Sequence, residues 1–369
     1  MPKNNSEKEL EQDLLDYLLD KSEDLKARRK GTLAAKVATA FAREKIFFNE
    51  LETILSGTFK NKFPVPKYNP KSKHKTERVV NAMLSDLHYG SDISAKETGV
   101  SYGKIEEARR TASVVKQIAD YKCQYRGESK LNLLLMGDLI ENRMHGQTSS
   151  APVAEQVARA IYMLSQSIEY LSYQYPLGVN VYCVPGNHDR LDSKGERTID
   201  EKYNSLAFII YKSLKIAFKD YKNIIFIIPQ TPWVVINNFG NLGYITHGDG
   251  ILNAGNPGKN INIANITKQI NTINAAIGRK SKEFSLFGIG HLHLGVMMKL
   301  PGWVTLLING ALVPANAYAN HIGIMEANTG QWLFESTKDH IVGDSRFMEV
   351  NEEDDINTSL DSIIKPYED

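Results

Sequence analysis

The chain has 369 residues, with 44 Lys and Arg against 43 Asp and Glu and a formal net charge of +1. That length buries a substantial core and fits one large domain with an appendage or two modest domains. The balanced charge excludes a polycation that coats nucleic acid generally, and two cysteines, Cys123 and Cys183, read as reduced residues rather than a disulfide framework.

The N-terminal Met1-Pro2-Lys3-Asn4-Asn5 opens no apolar h-region, and no stretch approaches the roughly 18 apolar residues of a membrane span. The expectation is a soluble, cytoplasmic protein with no membrane partner. Residues 8–56 read as helical. Leu10, Leu14 and Leu18 repeat at four-residue spacing. Leu33, Val37 and Phe41 do so again, beyond the basic break Lys26-Ala27-Arg28-Arg29-Lys30. Residues 1–59 are therefore expected to be a helical extension, either an arm packed on the main domain or a nucleic-acid-binding or dimerising module. Residues 60–78 carry Lys60, Lys62, Lys67, Lys71, Lys73, Lys75 and Arg78 interleaved with Pro64, Pro66 and Pro70. Such proline spacing excludes a regular helix and reads as an extended basic linker, suited to solvent or to a phosphate backbone.

From Val79 strands and helices alternate. Val79–Ser85 reads as a strand ending in Asp86-Leu87-His88. A helix is expected over about 103–121, with Ile105, Ala108, Ala112, Val115 and Ile118 on one face. The apolar run Leu131–Met136 ends in Gly137-Asp138. A helix then carries Val153, Val157, Ile161, Leu164, Ile168 and Leu171, and the run Val179–Val184 ends in Pro185-Gly186-Asn187-His188-Asp189. The βαβαβ order points to a largely parallel sheet covered by helices.

After a helix near 198–219 the pattern becomes richer in strands. Ile224–Ile228, Trp233–Ile236 and Leu242–Thr246 are expected strands, the last delivering His247-Gly248-Asp249. An amphipathic helix uses Ile263, Ile266, Ile270, Ile273 and Ile277. A strand over Glu283–Ile289 ends in Gly290-His291-Leu292-His293, and strands near 303–309, 321–326 and 331–335 complete a second sheet. The main domain is expected over 79–345. Residues 346–369 read as an acidic tail, since 349–369 hold eight acids against Lys365 alone.

Five strand ends thus present Asp86 and His88, Asp138, Asn187 and His188, His247, and His291 and His293. Neighbouring strand ends in an α/β sheet lie about 5 Å apart, so these side chains can meet in one site. The set offers carboxylate, imidazole and amide oxygen but no thiolate, which suits Mn, Fe, Zn, Ni or Co and not a structural zinc knuckle. Asp86-x-His88 and His291-x-His293 are expected to project both ligands to one side of an extended segment. More ligands are present than one ion needs, and a two-metal centre is the economical reading. With only Asp86 and Asp138 anionic, two divalent ions would leave the site positive. It could then draw in a phosphate ester and generate a metal-bound hydroxide near neutral pH.

In these blocks, spread in order over about 79–310, the sequence resembles the calcineurin-like metallophosphoesterase superfamily. That resemblance implies an α/β (α+β) fold, a two-sheet β-sandwich flanked by helices, and a dinuclear centre with manganese the leading metal. It implies that Asp86, His88 and His293 hold one ion, that Asn187, His247 and His291 hold the other, and that Asp138 bridges them. His188 would protonate the leaving oxygen, and Glu141, one methylene longer than the Asp usual there, would orient His188. Gly186-Asn187-His188-Asp189 is similar to the phage and bacterial exonuclease-like, SbcD-like phosphodiesterases. The protein serine/threonine phosphatases carry Gly-Asn-His-Glu at that place. The implied substrate is a phosphodiester, DNA or RNA among the possibilities, and the implied assembly a homodimer. Arg143, His145 and Arg190, just past the metal-binding turns, are expected substrate contacts. A phosphomonoesterase and a non-catalytic scaffold are the alternative readings.

Overall fold

Strands that are apolar on both faces must be covered on both, and this requirement builds the molecule. The computed structural model describes residues 77–124, 129–143, 150–191, 205–250, 262–278, 282–315, 329–350 and 363–367. The expected N-terminal helices, the basic linker up to residue 76, the strand near 321–326, His145 and most of the acidic tail lie outside these residues. Among the described residues no helix is long and apolar enough to cross a membrane.

In chain order, β1 (Arg78–Leu84) is followed by a one-turn helix α1 (Ala95–Thr98) and the long helix α2 (Lys104–Gln124). Next come β2 (Lys130–Leu135), α3 (Val153–Gln174), β3 (Val179–Cys183), α4 (Leu206–Ala217) and β4 (Ile224–Ile227). These four strands pair in parallel in the order β1-β2-β3-β4. One face of this sheet packs on the helices through Val80, Leu131, Leu133, Val181, Ile118, Leu164 and Ile210. Of the expected apolar face of α2, Ala108, Ala112, Val115 and Ile118 are buried, whereas Ile105, in the first turn, is 69% exposed. Periodicity alone thus overstates its buried face.

A second sheet holds β5 (Trp233–Asn238), β6 (Asn241–Thr246), β7 (Phe284–Ile289), β8 (Val296–Leu300) and β9 (Val304–Ile308) in the order β5-β6-β7-β9-β8. Between β6 and β7 runs α5 (Ile263–Gly278), whose Ile266 and Ile270 cover the outer face with Phe287 and Leu306. The two inner faces meet through Met83, Leu134, Met136 and Val184 on one side and Val234, Ile236, Ile245, Leu286 and Leu307 on the other. The fold is therefore a mixed α/β sandwich of two sheets flanked by helices.

Two expectations are corrected. β10 (Gly330–Thr337), placed by the sequence reading in the second sheet, pairs antiparallel with β1, Val79 opposite Ser336. It caps the edge of β1 that the parallel series leaves open. The expected tail at 346 begins inside β11 (Ser345–Glu349), which pairs with β10, and Ile364 is buried in the main core. Acidic composition marks a solvated chain but is blind to a hairpin partner such as Gly343 and Asp344 turning back on Glu335.

Candidate metal centre

Because β1, β2 and β3 run parallel, their carboxyl ends open at one edge of the first sheet. β6 and β7, also parallel, open beside them from the second. The backbone at these ends is not extended. Asp86, His88, Asp138, Asn142, His291 and His293 all have φ between 47° and 68°. Left-handed backbone is uncommon outside glycine and clusters where a site demands it. This corrects the expectation for Asp86-x-His88 and His291-x-His293. Their side chains meet because each ligand sits in a reversed turn, not because an extended segment alternates.

Glycine lets the turns approach. A Cβ at Gly137 would strike the backbone of Pro185 and Gly186, and one at Gly290 would lie 2.5 Å from Asp86 Oδ2. Asp189 binds the loops after β2 and β3 together. Its buried carboxylate accepts from the amides of Gly186 (2.7 Å), Asp138 (2.9 Å) and Leu139 (3.0 Å). Burial and the neighbouring Asp138 charge push its pKa up to about 6, opposed by two of those amides, those of Gly186 and Leu139.

Two groups of donors result. In one, His293 Nε2 lies 3.3 Å from Asp86 Oδ1 and 3.3 Å from His88 Nε2. In the other, His247 Nε2 lies 3.0 Å from Asp138 Oδ2 and 3.1 Å from Asn187 Oδ1, with His291 within the same cluster. The groups adjoin. The amide of His88 donates to the Asp138 carbonyl at 3.1 Å, and that of His291 to both Asp86 oxygens at 3.1 Å. All seven residues expected to hold metal therefore meet, four of them buried, with His188 against His88 at a ring separation of 4.6 Å.

The donor chemistry fits divalent cations. His247 Nδ1 lies 2.9 Å from the Met136 carbonyl, a pure acceptor, so Nδ1 carries the proton and a neutral ring turns its Nε2 lone pair toward two more acceptors. Three converging lone pairs require a cation between them, either a proton or a metal. The electrostatics agree. Burial pulls His247 down, yet Asp138 outweighs it and carries the ring up to about 10. Burial pushes the Asp138 carboxyl up, yet His247 and His188 hold it well below the usual carboxylate range. Burial and the His247 charge press His291 down to about 4, the neutral form that ligates.

His188 is buried. Its amide donates to Asp138 Oδ1 at 2.7 Å and its Nδ1 to the Glu141 carbonyl at 2.6 Å. Burial lowers its pKa, but Asp138 and Glu141 more than offset this and raise it. The Glu141 carboxylate lies within 4.8 Å of ring nitrogens of both His88 and His188. The backbone carbonyl faces His188, while the longer carboxylate reaches 2.9 Å from His88 Nδ1. Arg190 pairs with Asp249 at 3.4 Å, Arg143 is exposed one residue past Asn142, and His145 lies outside the described residues. Sequence reasoning missed Asn142, whose side-chain amide holds the carbonyls of His188 (2.6 Å) and Arg190 (2.7 Å). It also missed Gln156, which accepts the Asn142 amide at 2.6 Å.

The model of the calcineurin-like phosphoesterases matches residues 82–276. Among solved structures, an archaeal phosphodiesterase is 12% identical over 73% of this chain and 99% of its own, with a TM-score of 0.32. A dimetal phosphatase from Danio rerio is 10% identical over 74% and 99%, with a TM-score of 0.36. No curated protein matches.

Proposed function

The chain belongs to the calcineurin-like phosphoesterase family, and from that premise we propose that it is a dinuclear phosphoric ester hydrolase that cuts phosphodiester bonds. The carrying observation is the meeting of seven nitrogen and oxygen donor residues from two sheets beside His188. Asp86, His88 and His293 would hold one cation, Asn187, His247 and His291 the other, and Asp138 both. Manganese is the proposed metal, with Fe, Zn, Ni or Co suited to the same donors. When bound, the pair supplies charge neutralisation at the phosphoryl oxygens and an activated water.

The chain's own contribution is protonic and positional. His188 commits Nδ1 to the Glu141 carbonyl, so Nε2 gives the transferable proton. As water oxygen bonds to phosphorus, releasing a proton to solvent, and the ester P–O bond breaks, the His188 proton passes to the leaving oxygen and His188 takes up another from solvent. The raised pKa of His188 favours the imidazolium this step needs. Asn142 fixes the turn through the His188 and Arg190 carbonyls, and Asp249 steadies the Arg190 guanidinium for a phosphate oxygen. A phosphodiester of DNA or RNA, as in the exonuclease-like branch, rests on the Asp189 form of the motif and on Arg143 and Arg190 at the rim. A cytoplasmic homodimer is part of the same reading.

The test is manganese-dependent hydrolysis of bis-p-nitrophenyl phosphate and p-nitrophenyl phosphate, followed by single- and double-stranded DNA and RNA. The diester should be preferred. His188→Ala should lower its turnover by about 10²–10⁴-fold with metal content unchanged. Full activity in that variant sinks the acid role, and a strong preference for the monoester sinks the diester reading.

A further inference from the structure

We infer that the Glu141 carboxylate is the positioning group of His88 and so sets the affinity of one cation site, beyond the effect of its charge on His188. The inference rests on the two-cation reading above. Its geometry comes from the backbone. Tyr89 and Ile140 form a parallel bridge, and the Glu141 amide donates to the Tyr89 carbonyl at 3.2 Å, so the segment carrying Glu141 runs alongside the one carrying His88. The carboxylate then lies 2.9 Å from His88 Nδ1, with the two side chains 3% and 4% exposed.

This approach is close but off the line of a hydrogen bond, and Nδ1 has no other hydrogen-bond partner in its buried setting. The duty expected of the side chain at His188 is already met by the Glu141 carbonyl, 2.6 Å from His188 Nδ1. A ligating imidazole needs its second nitrogen protonated and aimed, and a carboxylate does both. With Nδ1–H facing Glu141, the His88 Nε2 lone pair faces His293 Nε2, 3.3 Å away, where the donors of Asp86 also converge. The buried negative charge also favours a cation one ring away.

Calorimetric manganese titration of the full chain tests this, with far-UV dichroism to show that each variant is folded. The wild type should bind two ions. Glu141→Gln removes the charge and keeps the shape, and should weaken one site by about 10–100-fold while sparing the other. Glu141→Asp keeps the charge and loses the reach, and should weaken the same site. In Glu141→Asp, which keeps the charge, the limb of the kcat/KM–pH profile that reports His188 should stay in place. Unchanged affinity at both sites in Glu141→Gln overturns the inference. So does a shifted pH limb with intact metal binding, because the carboxylate would then belong to His188. A wild type that binds fewer than two ions overturns the two-cation reading itself, and this inference with it.

Discussion

Two glycines decide how near the loops after β2 and β3 can come. A Cβ on Gly186 would meet the carboxylate and the amide nitrogen of Asp138, and Gly137, at φ 86°, would meet backbone on the other side. Neither obstacle is the far end of a flexible side chain, so neither can step aside. Gly137→Ala should cost about 3 kcal/mol or more in urea unfolding and weaken metal binding with it. Gly240→Ala serves as the control. Gly240 has φ 86° as well, but nothing lies within 4 Å of its Cβ direction, so only about 1 kcal/mol of backbone strain is expected. Equal costs would assign the requirement to the turn conformation rather than to the close approach. At this scale the donor residues were legible, because metal chemistry is carried by residue type. Asp189 and Asn142 were not, because their side chains hold backbone amides and carbonyls some fifty positions away.

At the level of elements, helices α2 and α3 bury charge beneath the loop that carries His88. Glu107 on α2 is fully buried. One carboxylate oxygen accepts the Gly90 amide at 2.6 Å and Arg159 at 3.4 Å, and the other has no hydrogen-bond partner. Burial raises its pKa from 4.5 to about 7. Between those values the folded chain keeps a proton that the unfolded chain has released, so stability falls as pH rises through the window and levels off above about pH 7. Glu107→Gln retains an acceptor for Gly90 without the charge. It should flatten this slope and gain on the order of 3 kcal/mol over the wild type at pH 8 relative to pH 4. Urea unfolding across that range checks it, and parallel slopes in the two proteins would give the dependence to other groups. Strands with unbroken apolar runs, such as Leu133–Met136, were legible for the reason that buries them on both faces. β8 (Val296–Leu300), half exposed along its length, and β11, polar at three of five positions, give no such run and owe their state to a partner strand.

In the whole molecule the candidate centre is a seam. The first sheet brings Asp86, His88, Asp138 and Asn187, and the second brings His247, His291 and His293. Hydrogen bonds already stitch the sheets at this end. Asn309, at the end of β9, donates to Ser85 at 3.0 Å and to Gln331 at 2.6 Å, and His247 reaches Met136. The order of five donor clusters could be read along the chain, but their division between two sheets depends on pairings such as β1 with β10, which local pattern does not encode. Cations bound across the seam would bind the folded state alone and so add to its stability by mass action, about 2.7 kcal/mol per site at a hundredfold excess over Kd. Manganese should therefore raise the unfolding temperature by several degrees, and a chelator should reverse the shift. Asp138→Asn, which removes the carboxylate proposed to serve both ions, should lose most of that gain, whereas His188→Ala should keep it. Loss of the shift in His188→Ala would make that histidine a ligand and deprive the proposed chemistry of its acid. Absence of any shift in the wild type would mean that the lone pairs gathered at the seam are satisfied by protons alone.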